Sequence, residues 1–192
     1  LNKRVQKNPD EVIYAEMLIW MYMKQNKFEA ALIQVKALDK RNREDGSRVM
    51  ELSELALNNN KYNVAIDGYT YVKEKGPKTY YYIEAVTGVL KSLNAKVTRA
   101  AYDQSAITQL IAEYEAALNE MGYSSKTAAI IADLAYVKAF YESKYHPSAV
   151  EEAVALLEST IAKPGLSDLD AARLKVQLAD IYVLSNNVWD AS

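Results

Sequence analysis

Phe28 to Leu38 and Tyr62 to Val72 carry the same kinds of side chain at the same offsets, 34 positions apart. Phe28, Ala31, Leu32, Val35 and Leu38 correspond to Tyr62, Ala65, Ile66, Tyr69 and Val72, and Pro9 precedes Pro77 by two such intervals. Within each stretch the apolar residues recur at three and four positions, which is the spacing of one helix face. Self-similarity at a fixed period is the signature of stacked supersecondary units, none of which can bury its apolar face alone. The period therefore predicts an all-α array of helix hairpins. Such arrays present surfaces more often than they perform reactions, so a binding role is expected and the partner is left unnamed.

The composition suits that architecture. Half of the 192 residues are hydrophobic, enough for one continuous core, and six glycines with four prolines are too few for a turn-rich β fold. Twenty-three basic against 25 acidic residues give a net charge of −2, and no basic stripe occurs, which argues against nucleic acid as the partner. The chain has no cysteine, so disulfides and sulfur-ligated metals drop out, a usage that fits a reducing cytoplasm or an oxidising periplasm. Its longest apolar run, Met17 to Met23, is far short of the roughly eighteen residues that a membrane span needs, and Lys3, Arg4 and Lys7 precede no apolar signal core. A soluble chain is expected.

Asp10 to Lys24 is apolar nearly all round, which predicts an inner helix covered on several sides. Gln25, Asn26 and Lys27 turn the chain into an outer helix from Phe28, and the charged stretch Asp39 to Asp45 followed by Gly46 ends it. Ser47 is a candidate cap for a second inner helix to about Leu57, and Asn58 to Asn60 lead to an outer helix over Tyr62 to Glu74, stopped by Gly76 and Pro77. A third inner helix spans about Tyr80 to Leu93, then a polar connection through Thr98 to Gln104, then an outer helix from Ser105 to Met121 closed by Gly122. Ser125 to Tyr141 reads as the fourth inner helix, with an outer partner opening at Pro147 and reaching about Ala162 before Pro164 and Gly165. Ser167 to Ser185 reads as a fifth inner helix, and Val188 to Ala191 as the opening of its partner. The expected organisation is a single repeat domain over 1–192, with hairpins at about 10–45, 46–79, 80–122, 123–165 and a truncated 166–192, and with 1–9 as the end of a preceding helix.

These units resemble the tetratricopeptide repeat, a 34-residue helix–turn–helix with the pattern W-x2-L-G-x2-Y, A-x3-F, a further alanine and a late proline. Leu18, Ile19 and Tyr22 stand at the Leu, Gly and Tyr places of the first unit, and Ala31, Val35 and Leu38 at its Ala, Phe and second Ala places. In the second unit Leu52, Ser53 and Ala56 are followed by Ala65, Tyr69 and Val72, with Pro77 at the proline place. Leu178, Ala179, Tyr182 and Ala191 carry the pattern in the last unit, whereas the third and fourth match only as hairpins. Ile19 at the glycine place departs from the pattern. The resemblance implies a right-handed superhelical α-solenoid of about five hairpins, part of a larger bacterial protein, whose inner helices line a concave groove for a peptide or partner protein. At the groove-facing offsets stand Trp20, Met23 and Lys24 in the first unit and Met50, Glu54, Leu57 and Asn58 in the second. The carboxylate-clamp version of that groove uses a Lys and an Asn four residues apart, where this chain has Glu16 with Trp20 and Met50 with Glu54. A ligand of mixed apolar and polar character is expected instead.

No chemistry-bearing constellation competes with this reading. His146 is the only histidine and sits beside Pro147 in an expected turn, Glu151 and Glu152 suit a helix amino end, and Ser47, Ser105 and Ser167 read as caps. Motifs for acyl transfer, phosphate cradling and zinc hydrolysis are missing, so neither an enzyme nor a cofactor or metal site is expected. Two other roles stay open: self-association of identical chains through apolar array ends, and a glycan-binding accessory domain built on Tyr80, Tyr81 and Tyr82, which stand among fifteen tyrosines.

Overall fold

Asn26 and Asn60, 34 residues apart, both take left-handed backbone with φ of 58° and 59°. A short polar side chain makes asparagine the commonest non-glycine residue in that region. Lys27 and Lys61, which follow them, share φ near −94° (−96° and −92°) and ψ near 61° (63° and 59°). The bonds repeat as well: the Lys27 N–H donates to the Tyr22 carbonyl at 2.9 Å and the Lys61 N–H to the Ala56 carbonyl at 2.8 Å. The period seen in the side chains is thus also present in the backbone of two turns.

The computed structural model describes residues 12–189, with side chains to Val183. All regular elements among the described residues are helical: α1 (Val12–Lys24), α2 (Phe28–Asn42), α3 (Ser47–Asn58), α4 (Tyr62–Lys73), α5 (Tyr82–Arg99), α6 (Gln104–Met121), α7 (Ala128–Phe140), α8 (Ala149–Ile161) and α9 (Asp168–Trp189), with short 3-10 turns at Ser125–Thr127 and Glu142–Lys144. No described helix is long and apolar enough to cross a membrane. Contacts divide the chain into two units, Leu1–Lys96 and Val97–Ser192, and the boundary lies near the end of α5 rather than at a hairpin connection.

In the first unit α1 packs on α2, α3 on α4, and α2 on both α3 and α4. Phe28, Ala31, Leu32, Val35 and Leu38 are all buried, as their spacing predicts. Each of the larger ones contributes about 1.5–3 kcal/mol by leaving water. In α4 the buried face has moved slightly: Ala65, Tyr69 and Val72 are buried together with Val64 and Gly68, while Tyr62 and Ile66 are half-buried. Gly68 explains the close fit of α3 on α4, because a Cβ there would sit 2.0 Å from the Ser53 Oγ. Gly88 of α5 plays the same part against Tyr69, whose ring carbons would lie 2.6 Å from an added Cβ.

In the second unit α7 lies at the centre, with α6, α8 and α9 packed on it and α8 and α9 on each other. Ala128, Ile130, Ile131, Ala132, Leu134, Ala135, Val137 and Ala139 of α7 are buried, so its all-round apolarity has neighbours on all sides. The Asp103 carboxylate caps α6 by accepting the Ala106 N–H at 3.2 Å, Ser124 and Thr127 form a capping box before α7, and Ser167 accepts the Asp170 N–H at 3.1 Å at the start of α9.

Several expectations need correction. The helix expected over Asp10 to Lys24 is not covered on several sides: α1 buries only Ala15 and Leu18 among its described residues. Asp39, expected to begin the charged stretch that ends α2, is fully buried inside that helix, which runs on to Asn42. Gly46, in left-handed backbone at φ 97°, is the cap residue of α3; the Ser47 N–H is instead held by the Asp45 carboxylate at 3.0 Å. Helix α5 continues through Thr98 and Arg99, and the turn comes at Ala101 and Tyr102, both left-handed. Ser105 consequently lies within α6 and does not cap it. Val188 and Trp189 extend α9 instead of opening another helix, while Asp190 and Ala191, like the expected helix end at 1–9, lie outside the described residues.

Candidate functional site

The seven groove residues fall on α1 and α3 of the first unit. Trp20, Lys24, Glu54 and Asn58 are exposed, and Met23, Met50 and Leu57 are half-buried. Helix α3 buries Val49, Leu52, Ser53 and Ala56, which leaves Glu54 and Asn58 on the opposite face and Met50 with Leu57 at its margin. The Lys24 ammonium stands 5.6 Å from the centre of the Trp20 ring, a cation–π contact. The Arg48 guanidinium pairs with Glu16 and, at 3.2 Å, with Glu44, tying α1 to the start of α3. Hydrogen bonding to Glu16 holds the Arg48 pKa above its usual value against some loss from burial.

The most unusual feature of α1 lies beside Trp20. Ile13, Met17 and Trp20 recur at four and three residues on one face, and they are 60%, 52% and 62% exposed. Met21 on the next row is also exposed. Scattered apolar side chains on a surface are ordinary, whereas a row of large ones on a single helix face marks a contact site. Glu16, paired with Arg48, and the exposed Glu54 put carboxylates at offsets where a carboxylate clamp has a Lys or an Asn.

Behind this face the first unit is locked by a group that spacing alone did not reveal. The buried Asp39 carboxylate accepts the Tyr71 hydroxyl at 2.7 Å and the Lys75 ammonium at 2.5 Å, and Lys75 also donates to the Glu44 carbonyl at 3.0 Å. Lys36 and Lys75 stand 5.3 and 5.1 Å from the Tyr71 ring centre, and Lys36 pairs with Asp67 at 2.7 Å. Burial first, and then the bond to Asp39, push the Tyr71 pKa far up. These contacts join residues roughly one repeat apart and fix α4 against α2.

Aromatic side chains gather in the second unit, not where the sequence suggested. Of the expected tyrosine trio, Tyr82 is buried, Tyr80 is exposed, and Tyr81 meets Tyr80 edge to face at 4.8 Å. The larger cluster is Tyr102, Tyr136, Phe140, Tyr141 and Tyr145. Tyr136 stacks on Phe140 at 4.4 Å, Tyr102 lies 4.6 Å from Tyr141, and the Tyr145 hydroxyl donates to the Tyr102 carbonyl at 3.0 Å. Tyr136 and Tyr145 are exposed, and Lys144 stands 5.1 Å from the Tyr102 ring. Burial, followed by its tyrosine neighbours, raises the Tyr141 pKa strongly. The i, i+4 spacing of Tyr136 with Phe140 and of Tyr141 with Tyr145 was the available signal; Tyr102 joins from the turn before α6.

Lys138 of α7 lies near three carboxylates, Glu152 at 2.9 Å, Glu142 at 3.4 Å and Glu115 at 3.7 Å. Burial acts to lower its pKa, but the hydrogen bond to Glu152 and the other two charges outweigh that, so the pKa is raised and the ammonium persists. His146 is exposed, with its N–H donating to the Glu142 carbonyl at 2.8 Å. Among the described residues no cluster of three or more His, Asp or Glu side chains is placed to hold a metal.

Fold and surfaces together define, among the described residues, an all-helical protein whose helix α1 exposes a row of large apolar side chains. In comparisons with known proteins, no family model, no curated protein and no solved structure matches the chain.

Proposed function

We propose that this chain is a non-catalytic scaffold for protein–protein contact, a tetratricopeptide-like array whose inner helices present a groove to a peptide or partner protein. The observation that carries the reading is the row of Ile13, Met17 and Trp20, left in water on one face of α1 beside the expected groove positions. The identical turns at Asn26 and Asn60 support the repeat. Trp20 with Lys24, and Met23 at the margin of the face, supply an apolar anchor with a cation, while Glu54 and Asn58 supply polar contacts on α3.

Affinity capture with the full chain tests this, comparing wild type with a Trp20→Ala, Glu54→Lys variant: proteins recovered by the wild type are depleted with the variant. Equal recovery would move the binding surface elsewhere. An acidic carboxyl-terminal peptide is not a ligand, because Glu16 and Glu54 occupy the clamp offsets; micromolar binding of such a peptide in calorimetry would contradict the proposed chemistry. A second reading, a glycan-binding accessory role, draws on the aromatic cluster around Tyr136, since ring faces stack on sugar faces. Oligosaccharides that shift the NMR signals of Tyr136 and Tyr145 would favour it.

A further inference from the structure

Helix α9 has two apolar faces, and the second unit uses only one of them. Leu174 and Ile181 are fully buried where α9 packs on α7 and α8, with Ala171, Gln177 and Leu178 half-buried beside them. On the opposite side Leu169, Val176 and Val183 are 73%, 63% and 61% exposed, and Ala172 and Ala179, also exposed, lie between them. The order Leu169, Ala172, Val176, Ala179, Val183 alternates steps of three and four, so it is a seven-residue repeat with a continuous seam. Among the described residues, the second apolar face is in register along α9 and stays exposed.

The residues that flank the seam indicate what covers it. In a parallel two-stranded coiled coil, the residue before each first seam position faces the residue five places further along the other helix. Here those pairs are Asp168 with Arg173 and Lys175 with Asp180, opposite in charge both times, and all four side chains are exposed. Two-fold symmetry would make each pair twice. In the antiparallel registers that overlap most of the seam, Lys175 faces either Lys175 or Tyr182 and Asp168 meets no cation, while Arg173 faces either itself or Asp180, so only the parallel register gives both Asp168 and Lys175 an opposite charge. Valine at Val176 and Val183 is the β-branched choice that favours two parallel strands, and Ala172 and Ala179 allow close approach of the backbones.

We propose that α9 pairs with α9 of a second copy of this chain as a parallel, in-register coiled coil, independently of the groove on α1. Five seam positions make a short interface, so the association is concentration-dependent. It goes beyond display of a binding surface, because pairing would present two such surfaces together and raise avidity for a divalent partner.

The chain's lack of cysteine makes the test direct. Leu169→Cys and Val183→Cys, prepared separately in the full chain, are each expected to give disulfide-linked homodimers on mild oxidation, and a mixture of the two is expected to give few 169–183 hybrids. Sedimentation of the wild type should show reversible dimers, and Val176→Glu, an exposed position whose helicity and melting are checked in parallel, should raise the dissociation constant at least about tenfold. Lys175→Asp should weaken pairing, and adding Asp180→Lys should restore it. A wild type that stays monomeric up to its solubility limit overturns the proposal. So do hybrids that dominate the oxidised mixture, which would mean antiparallel contact, or dimers that Val176→Glu leaves intact, which would place the interface elsewhere.

Discussion

Helices α1 and α7 are each thirteen residues long and apolar almost all round, yet α7 buries eight of its residues and α1 only two. The difference lies in what surrounds them. Helix α7 is enclosed by α6, α8, α9 and the short turns at both its ends, while α1 has α2 as its principal neighbour. Hydrophobicity on every side therefore records a demand for cover, and the fold decides whether that demand is met within the unit. Where it is met the result is a core; where it is not, large apolar side chains stay in water.

Substitutions can break or sharpen this contrast. The largest effects belong to sealed positions in either unit: Ala65→Arg and Ala135→Arg, both at residues with no exposure, should each cost several kcal/mol, combining overpacking of about 1–3 kcal/mol with a buried unpaired charge. An unchanged melting temperature in either variant would remove that residue from the core. A matched pair addresses the contrast itself. Ile131→Ala in α7 should cost about 2–5 kcal/mol in urea denaturation, while Ile13→Ala in α1 should cost no more than about 0.5 kcal/mol. Similar losses at the two sites would mean that α1 is covered after all.

A smaller change is expected at Gly88. Alanine improves helix propensity by up to about 1 kcal/mol, but its Cβ would press on the Tyr69 ring, a penalty of about 1–3 kcal/mol, so Gly88→Ala should destabilise modestly. A more stable variant would show that Tyr69 can yield. Tyr69 itself supplies a pH dependence confined to alkaline solution. Burial raises its pKa from 10.0 to about 12, with Glu54 adding to the shift. The unfolded chain therefore loses this proton first, and the associated stability, complete below pH 10, falls away as pH rises from 10 towards 12. Tyr69→Phe should flatten that part of the alkaline unfolding curve, and an identical curve would place the sensitivity in other tyrosines.

Much of the helical order was legible before any coordinates, because Phe28, Ala31, Leu32, Val35 and Leu38 report their own buried face through spacing. What failed to show had a physical reason each time. Asp39 read as the start of a charged helix end because its partners, Tyr71 and Lys75, are 32 and 36 residues away, and only packing brings them to it. The polar run at Thr98 suggested a connection, but polar residues do not end a helix; left-handed backbone at Ala101 and Tyr102 does. The part that Gly68 and Gly88 play in close contact was not legible, because it depends on Ser53 and Tyr69 across the interface. Of the seven groove residues, α1 and α3 were legible as carriers, whereas the row from Ile13 through Met17 to Trp20 could not be told from a core face until its exposure was known.

Trp20 offers the most direct measurement of whether the apolar face of α1 is open. The chain has two tryptophans, so Trp189→Phe leaves Trp20 as the sole indole reporter. Its emission should be red-shifted like that of tryptophan in water, with acrylamide quenching close to that of the free amino acid, and both should reverse when a captured partner binds. A blue-shifted, quencher-protected Trp20 in the isolated chain would contradict the open face and the function proposed for it.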